Sequence, residues 1–513
     1  MSKKLDFLVV NPSTSKVYQK SHEDNNYPAI EPPYLAALTA EFIRNNGYNT
    51  KIIDANAENM TVEDTTFRIK EYNPTLTHIV VHGNQPSASS QLIDWVNLLG
   101  KNIRKNNINT KIILSGTHPS ALPKATLKEE AFDFVSRGDG FYTVLDLLKN
   151  KSLDQISGLW YRKNGEVMAS SIIDPLIPSK DLGLLLKNAA WDLLPMERYK
   201  AHDWHCLDNI DQRKPYASIY TSFGCGLGCI FCCIDAPFNE DGTRKSGIRF
   251  RDPKIVVDEI EMLVNRYNVK NLKFIDEMFI FDQRHYAEVA KRIIERGLGE
   301  KLNIWAYARV DTVKEGHLEL LKKAGFNWLV LGIESGSKHV RSGVLKQINE
   351  EKIHNIVNKI KDSGIYVLGN YIFGLPDDDE KSMKATYDLA VELCCERPNF
   401  YSAMAYPGSE LHRLAQKRLL PLPSEWNIKR ALLPEEDGGP GWIGYSQHAY
   451  ETWPLPTQYL LPEQVLSFRD DALNKYFTSE TYVSFISKKF GQRVADIFCK
   501  TNAQKPKRLI LGD

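Results

Sequence analysis

Gly224-Cys225-Gly226-Leu227-Gly228-Cys229-Ile230-Phe231-Cys232 decides how this chain is read. Three cysteines stand in Cys-x3-Cys-x2-Cys spacing on a Gly-rich loop, directly after the stretch Ala217–Thr221, which predicts a β-strand. Thiolates are soft ligands suited to iron–sulfur clusters and zinc. Three close thiolates can hold three irons of a cubane cluster, and the fourth iron then stays open to a small molecule. The glycines let backbone approach such a cluster and supply turns of positive φ. A zinc site completed by Cys233, Cys206 or a histidine is the alternative. Zinc knuckles usually present two separated ligand pairs, however, and this is one tight triplet. Cys233 adjoins Cys232, and adjacent side chains diverge, so Cys233 is expected in the core or behind the ligands.

The rest of the composition is that of a soluble globular protein. The chain has 513 residues, 42% hydrophobic and 25% charged, which fits a globular protein with a substantial core. At about 150 residues per domain, that length suggests roughly three domains. The 65 basic residues nearly cancel the 64 acidic ones, so no charge excess points to nucleic acid or a membrane surface as partner. No apolar run approaches the ~20 residues that span a bilayer. The opening Met1-Ser2-Lys3-Lys4-Leu5-Asp6-Phe7-Leu8-Val9-Val10 stops at Asn11-Pro12 and reads as a first strand, not a signal peptide. The cytoplasm is the expected location. Four of the eight cysteines fall between 225 and 233, a pattern of metal binding or catalysis rather than of disulfides.

Residues 1–150 alternate short apolar strands with helices of amphipathic spacing, such as Pro33–Asn46 and Val62–Tyr72. Repeats of this length imply an α/β fold with a doubly wound parallel sheet. Its tips would be Asn11-Pro12-Ser13, Gly83-Asn84-Gln85-Pro86-Ser87, Ser115-Gly116-Thr117-His118 and Arg137-Gly138-Asp139-Gly140. Ligands bind at the carboxyl ends of such strands, so these tips form a candidate pocket. Residues 151–215, with Pro175, Pro178, Pro195 and Trp204-His205-Cys206, read as a linker with some structure of its own. Residues 216–415 carry six further strand–helix units, which fit a partial barrel better than a second open sheet. Residues 416–513 form a small C-terminal domain with a helix at Pro462–Tyr476. Its stretch Trp442–Tyr450 suits either a substrate-facing lid or an aromatic core patch.

The cysteine triplet, with an aromatic before its last cysteine, resembles the signature of the radical S-adenosylmethionine superfamily. Four more segments resemble that family's motifs in order: Phe274-Ile275-Asp276-Glu277-Met278-Phe279, Gly332-Ile333-Glu334-Ser335-Gly336-Ser337, Gly369-Asn370-Tyr371-Ile372-Phe373-Gly374-Leu375-Pro376 and Tyr406-Pro407-Gly408-Ser409-Glu410-Leu411. In the first half, Glu31-Pro32-Pro33-Tyr34-Leu35, Ser115–Ser120 and Arg137–Gly140 resemble the Rossmann-like cobalamin-binding domain found ahead of many such enzymes.

The resemblance implies a [4Fe–4S] cluster on Cys225, Cys229 and Cys232. Its open iron would chelate the amino and carboxylate groups of S-adenosylmethionine, and reductive cleavage would yield a 5′-deoxyadenosyl radical that abstracts hydrogen from an unactivated carbon. Asp276 or Glu277 would hold the methionyl ammonium. If the strand runs through both acids, only one faces the barrel interior. Arg309 would pair with the carboxylate, Glu334 and Ser335 would contact ribose, and backbone from Ile372 to Leu375, including Gly374, would flank adenine. For cobalamin the tip residues Ser87, Ser115, Gly116, Thr117 and Gly138 are the candidates. The Asp-x-His-x-x-Gly motif is absent: the first loop reads Asn11-Pro12-Ser13-Thr14-Ser15-Lys16, so no histidine from it is expected on cobalt. His118 is a possible substitute, although a His-Pro pair more often shapes its loop.

The implied activity is methylation of an unactivated carbon of a small molecule, such as a sugar or a natural-product precursor. The same cofactors would also serve a rearrangement, cyclisation or epimerisation. A non-enzymatic iron–sulfur or zinc protein is the reading from another class. An electron donor such as flavodoxin or ferredoxin is the expected partner, with neither nucleic acid nor membrane.

Overall fold

The computed structural model describes residues 4–14, 29–83, 85–172, 176–238, 247–346, 348–423 and 441–513. Met1, Ser2, Lys3, Ser15, Lys16, Asn84 and Pro175, named above, lie outside them.

The first sheet is built around β1 (Phe7–Asn11), a run of apolar residues buried on both sides. Phe7 and Val9 join the core on one face and Leu8 and Val10 the core on the other, the alternation a strand imposes. Helices Tyr34–Asn45 and Ile93–Lys105 supply the two coverings, with Leu38 and Phe42 on one side and Val96 and Leu99 on the other. A sheet buried on both faces in this way is a parallel one. Thus β2 (Thr50–Asp54), β1, β3 (Leu76–Val80), β4 (Lys111–Ser115) and β5 (Phe134–Ser136) pair in that spatial order, all parallel. The winding reverses between β1 and β3, and that reversal opens a crevice beyond their carboxyl ends.

Two strands inside the expected linker extend this sheet. β6 (Leu159–Lys163) and β7 (Glu166–Ala169) form an antiparallel hairpin on β5. Its turn is Asn164-Gly165, both at positive φ, the two-residue turn whose twist matches a hairpin. The remainder of 151–215 is core rather than tether: Trp191, Tyr199 and Trp204 are buried.

The second sheet has β8 (Tyr216–Ile219), β11 (Asn271–Phe274), β12 (Asn303–Arg309), β13 (Phe326–Glu334), β14 (Tyr366–Phe373) and β15 (Arg397–Ser402), all parallel and in that spatial order. Two short strands, β9 (Ser222–Phe223) and β10 (Arg249–Phe250), pair antiparallel just beyond β8. β8 and β15 are free edges of the six-stranded sheet, as a partial barrel requires. Trp204 closes the amino-terminal end, edge-on to Trp305 and Trp328 at 5.2 Å each. The C-terminal residues add three helices, Pro462–Thr478, Glu480–Phe490 and Gln492–Asn502; the last two were not anticipated. Arg508 locks the tail by a buried ion pair with Asp470, and Arg469 beside it donates to the carbonyl of Phe400 on β15 (2.8 Å).

The two sheets are joined by buried polar groups. Arg251 and Glu259 are fully buried and pair at 3.0 Å. Tyr34 of the first domain donates to Glu259 (2.7 Å) and accepts from Arg251 (2.6 Å), and Trp191 donates to the other carboxylate oxygen (2.9 Å). Removing one member of a buried pair strands the other charge, at a cost of about 3–5 kcal/mol. Arg251→Met should therefore lower the unfolding free energy measured in urea by that order, and Arg251→Met/Glu259→Leu should recover part of it. A single variant as stable as the parent would show that the network does not hold the domains together.

Candidate active site

The cysteine loop begins where β8 ends, and one carboxylate fixes its start. Asp276 is wholly buried and accepts the Thr221 N–H (3.0 Å to each oxygen), the Thr221 hydroxyl (2.8 Å) and the Ser222 hydroxyl (2.6 Å). Burial raises its pKa, and these donors oppose the shift. β11 ends at Phe274, so Asp276 and Glu277 sit in the turn beyond it, and strand alternation does not sort them. The hydrogen bonds do. Asp276 is committed to the fold, whereas Glu277 is half-buried and turned to the loop, accepting the Gly224 N–H at 3.2 Å. Burial, with the neighbouring charge of Asp276, pushes its carboxyl up to about 8. A carboxylate so placed gains most from a nearby cation.

Cys225, Cys229 and Cys232 are free thiols. Cys225 is buried, Cys229 half-buried and Cys232 exposed, whereas Cys233 points into the core. Burial pushes the Cys225 thiol up to about 11, so it is no activated nucleophile. Cys206 is remote from the three: its thiol meets Asn271 at the opposite end of the barrel strands (3.5 Å).

Arg309 ends β12 beside the loop, with Nη1 3.9 Å from the Cys229 sulfur. Its Nε and Nη2 both donate to Asp311 at 2.9 Å, so the fork expected for a substrate carboxylate is already occupied. Ser335 is buried, shares a hydrogen bond with Thr386 (3.1 Å) and accepts the Ser337 N–H (3.1 Å), which makes it a strand-end cap. The N–H groups of Gly374 and Leu375 donate to Asp378 (3.0 Å each), so this backbone turn is held from within the fold. Ile372, like Ile230 and Phe231 of the cysteine loop, packs against the buried cluster of Val340, Val344, Leu375 and Ala403 and offers an apolar wall. Glu334 lies at the end of β13, ion-paired with Lys346.

The tips of the first sheet divide in the same way. Ser87 lines a cavity of about 1650 Å³, counting its opening to solvent, between this sheet, the barrel interior and the tail. Ser115 is engaged by His78 (2.7 Å). A Cβ on Gly116, at φ +112, would lie 2.0 Å from the Val81 carbonyl oxygen, so this glycine permits a close backbone crossing. Thr117 is buried. The Gly138 N–H donates to the Pro237 carbonyl (3.0 Å), and Asp139 takes a bidentate bond from Arg249 (2.7 and 2.8 Å); this tip is a latch between domains. His118 is buried, bonded to Ser90 (2.9 Å) and edge-on to Trp442 at 4.5 Å, and burial pushes its imidazole down to about 3. In the first loop Thr14 bonds Asn56 and lines both the large cavity and a smaller one, about 550 Å³ by the same measure, at the β1/β3 crevice.

Trp305, Tyr307, Tyr401 and Tyr406 line the large cavity, and Tyr445, Gln447 and His448 of the tail complete it. The sequence reading missed the ion pair on its floor. Lys273 of β11 meets Glu31 of the first domain at 2.8 Å, both buried, with the ammonium 4.8 Å from the Trp305 ring centre. The signal was a lysine between Leu272 and Phe274 within a barrel strand.

Residues 219–390 match the radical SAM superfamily, and residues 25–148 match the B12 binding domain. The chain is 30% identical over 428 residues to an uncharacterized methyltransferase of Pyrococcus horikoshii, covering 82% of this chain and 84% of that protein. It is 25% identical to the cytidylyl-2-hydroxyethylphosphonate methyltransferase of Streptomyces wedmorensis, over 79% and 80% of the two chains. Its fold superposes on the radical S-adenosylmethionine methyltransferase TsrM of Kitasatospora setae, solved with cobalamin and a [4Fe–4S] cluster. The TM-score is 0.66 at 15% identity, over 97% of this chain and 99% of that one.

The two neighbouring acids should separate cleanly. Asp276→Asn turns an amide donor toward groups that are themselves donors, and each unmet buried bond costs about 1–3 kcal/mol. It should lower the thermal midpoint of the metal-free protein by several degrees, while Glu277→Gln, half-buried and held by the Gly224 N–H and the Tyr220 hydroxyl, should lower it far less. Equal shifts for the two would contradict the division of roles.

Proposed function

Because this chain belongs to the radical S-adenosylmethionine superfamily and carries that family's cobalamin-binding domain, we propose that it transfers a methyl group to an unactivated carbon of a small molecule. The observation that carries the reading is the free-thiol triplet, clamped by Asp276 at the mouth of a partial barrel whose interior shares one cavity with the tips of the first sheet. When bound, the cluster supplies an electron for the cleavage of S-adenosylmethionine, and cobalamin supplies a methyl carrier.

The residues have the following roles in this reading. Cys225, Cys229 and Cys232 hold three irons. Glu277 grips the methionyl ammonium by a charge-assisted hydrogen bond. Ile372 presents an apolar wall to the adenine. Thr14, Ser87 and the crevice between β1 and β3 receive cobalamin, without a histidine from the first loop. Tyr307, Tyr401 and Asn370 line the barrel interior and orient a neutral, hydrogen-bonding substrate such as a sugar or natural-product precursor, with water kept out by the aromatic wall. A flavodoxin- or ferredoxin-type donor would reduce the cluster at the exposed Cys232 side. Among the described residues no helix is long and apolar enough to cross a membrane.

Anaerobic reconstitution should give about four iron and four sulfide per chain, and alanine at Cys225, Cys229 or Cys232 should abolish S-adenosylmethionine cleavage while Cys233→Ala retains it. Stoichiometric zinc without visible absorption would overturn the cluster. Glu277→Gln should weaken S-adenosylmethionine binding by roughly 10- to 150-fold with the cluster intact. Turnover should release S-adenosylhomocysteine and 5′-deoxyadenosine in equal amounts; deoxyadenosine alone would favour a rearrangement over methylation.

A further inference from the structure

Among the described histidines of the first domain, His78 and His118 are buried and committed, the first to Ser115 and the second to Ser90. His82 differs from both. It is half-buried, just past the end of β3, and it lines the smaller cavity in the crevice between β1 and β3. That crevice is where a doubly wound sheet takes its ligand. The backbone around His82 is pinned. The Ser89 hydroxyl donates to the His82 carbonyl (2.9 Å), and the Val81 N–H donates to the Ser115 carbonyl (2.8 Å). At Gly83, φ is +69 and a Cβ would lie 2.8 Å from the Ala88 side chain, so the chain turns away tightly just after the histidine.

The ring is held from the barrel. His82 Nε2 lies 3.2 Å from the hydroxyl of Tyr220, the residue that follows β8 and lines the same cavity. That hydroxyl also bonds the Glu277 carboxyl. A carboxylate only accepts, so the hydroxyl proton goes to Glu277 and the hydroxyl oxygen accepts from His82 Nε2–H. In a neutral imidazole this tautomer leaves Nδ1 unprotonated, with its lone pair available to a metal. Burial, with the Lys273 ammonium acting in the same direction, pushes the imidazole down to about 4, so the ring is neutral in ordinary buffers. A ligating histidine usually donates its second ring nitrogen to a fixed acceptor, which is the part Tyr220 plays here.

We propose that His82 Nδ1 is the protein's ligand to the cobalt of cobalamin, supplied from the loop after β3 instead of the first loop. The assignment rests on the cobalamin reading above. It makes Tyr220 a positioning residue shared by two sites: it sets the tautomer of His82 in the crevice and bonds Glu277 beside the cysteine loop.

The test is electron paramagnetic resonance of the full chain loaded anaerobically with cob(II)alamin. An axial nitrogen splits each cobalt line into a triplet when it is ¹⁴N and into a doublet when it is ¹⁵N. Protein grown on ¹⁵N-histidine carries the label in its imidazoles, whereas the cofactor's own dimethylbenzimidazole stays ¹⁴N. The labelled parent should give doublets, and labelled His82→Ala should lose the nitrogen splitting with cobalamin still bound. If His82→Ala takes up no cobalamin, the decision passes to labelled His22→Asn, whose site lies outside the described residues, and to labelled His118→Phe and His202→Phe. Doublets in each of these keep the assignment, and loss of the splitting from bound cobalamin in any one overturns it. Triplets in the labelled parent, a spectrum without nitrogen splitting, or doublets that survive His82→Ala would overturn it as well. A parent chain that binds no cobalamin would sink the cobalamin reading and this assignment with it; cobalamin bound without His82 on cobalt would sink this assignment alone.

Discussion

The site depends on a carboxylate that never needs to touch a substrate. Asp276 accepts three donors from Thr221 and Ser222 and so ties the end of β8 to the turn after β11. A buried carboxylate is tolerated only when its lone pairs are filled, and here the donors that fill them belong to the residues leading into the cysteine loop. The loop therefore starts from a fixed point. Gly224 next donates to Glu277, which puts a second acid, with a different environment, against the same loop. Two adjacent acids thus divide the work: one is spent on the fold, and the other is left facing the cysteine loop, where the proposed reading puts the methionyl ammonium.

The same economy runs through the contact between the domains. Glu259 accepts from Tyr34, Arg251, Trp191 and the Ala189 N–H, so groups from the first domain, the connecting segment and the barrel converge on one buried carboxylate. Asp139 with Arg249, and Glu31 with Lys273, repeat the arrangement nearer the cavity. Isolated charges would be prohibitive in these positions, and each pair is intelligible only with both domains in place. The large cavity is then a property of the assembled chain, walled by sheet tips, barrel strands and tail together.

What the sequence disclosed follows from the range of each interaction. The cysteine spacing is local, and so is the cap of helix Val62–Tyr72, where Thr61 and Asp64 bond reciprocally. The Asn164-Gly165 hairpin was equally local and was overlooked because the prolines around it suggested a linker. The choice between Asp276 and Glu277 was not legible, because it turns on β11 ending at Phe274, with Ile275 between it and the pair. Nor were the fates of Ser115 and Gly138, polar tips that look like ligand contacts but meet His78 and Pro237. Lys346 has no pattern around it; only the folded register of β13 brings it to Glu334.

The central claim is that the Cys225–Cys232 loop presents an open iron at the barrel mouth, where S-adenosylmethionine binds through its amino group. Electron–nuclear double resonance of the reduced protein with S-adenosylmethionine labelled by ¹⁵N at that amino group tests it directly. The account predicts a nitrogen hyperfine coupling strong enough to place the amino group on the cluster. A reduced cubane cluster whose spectrum is unchanged by the labelled compound would contradict it.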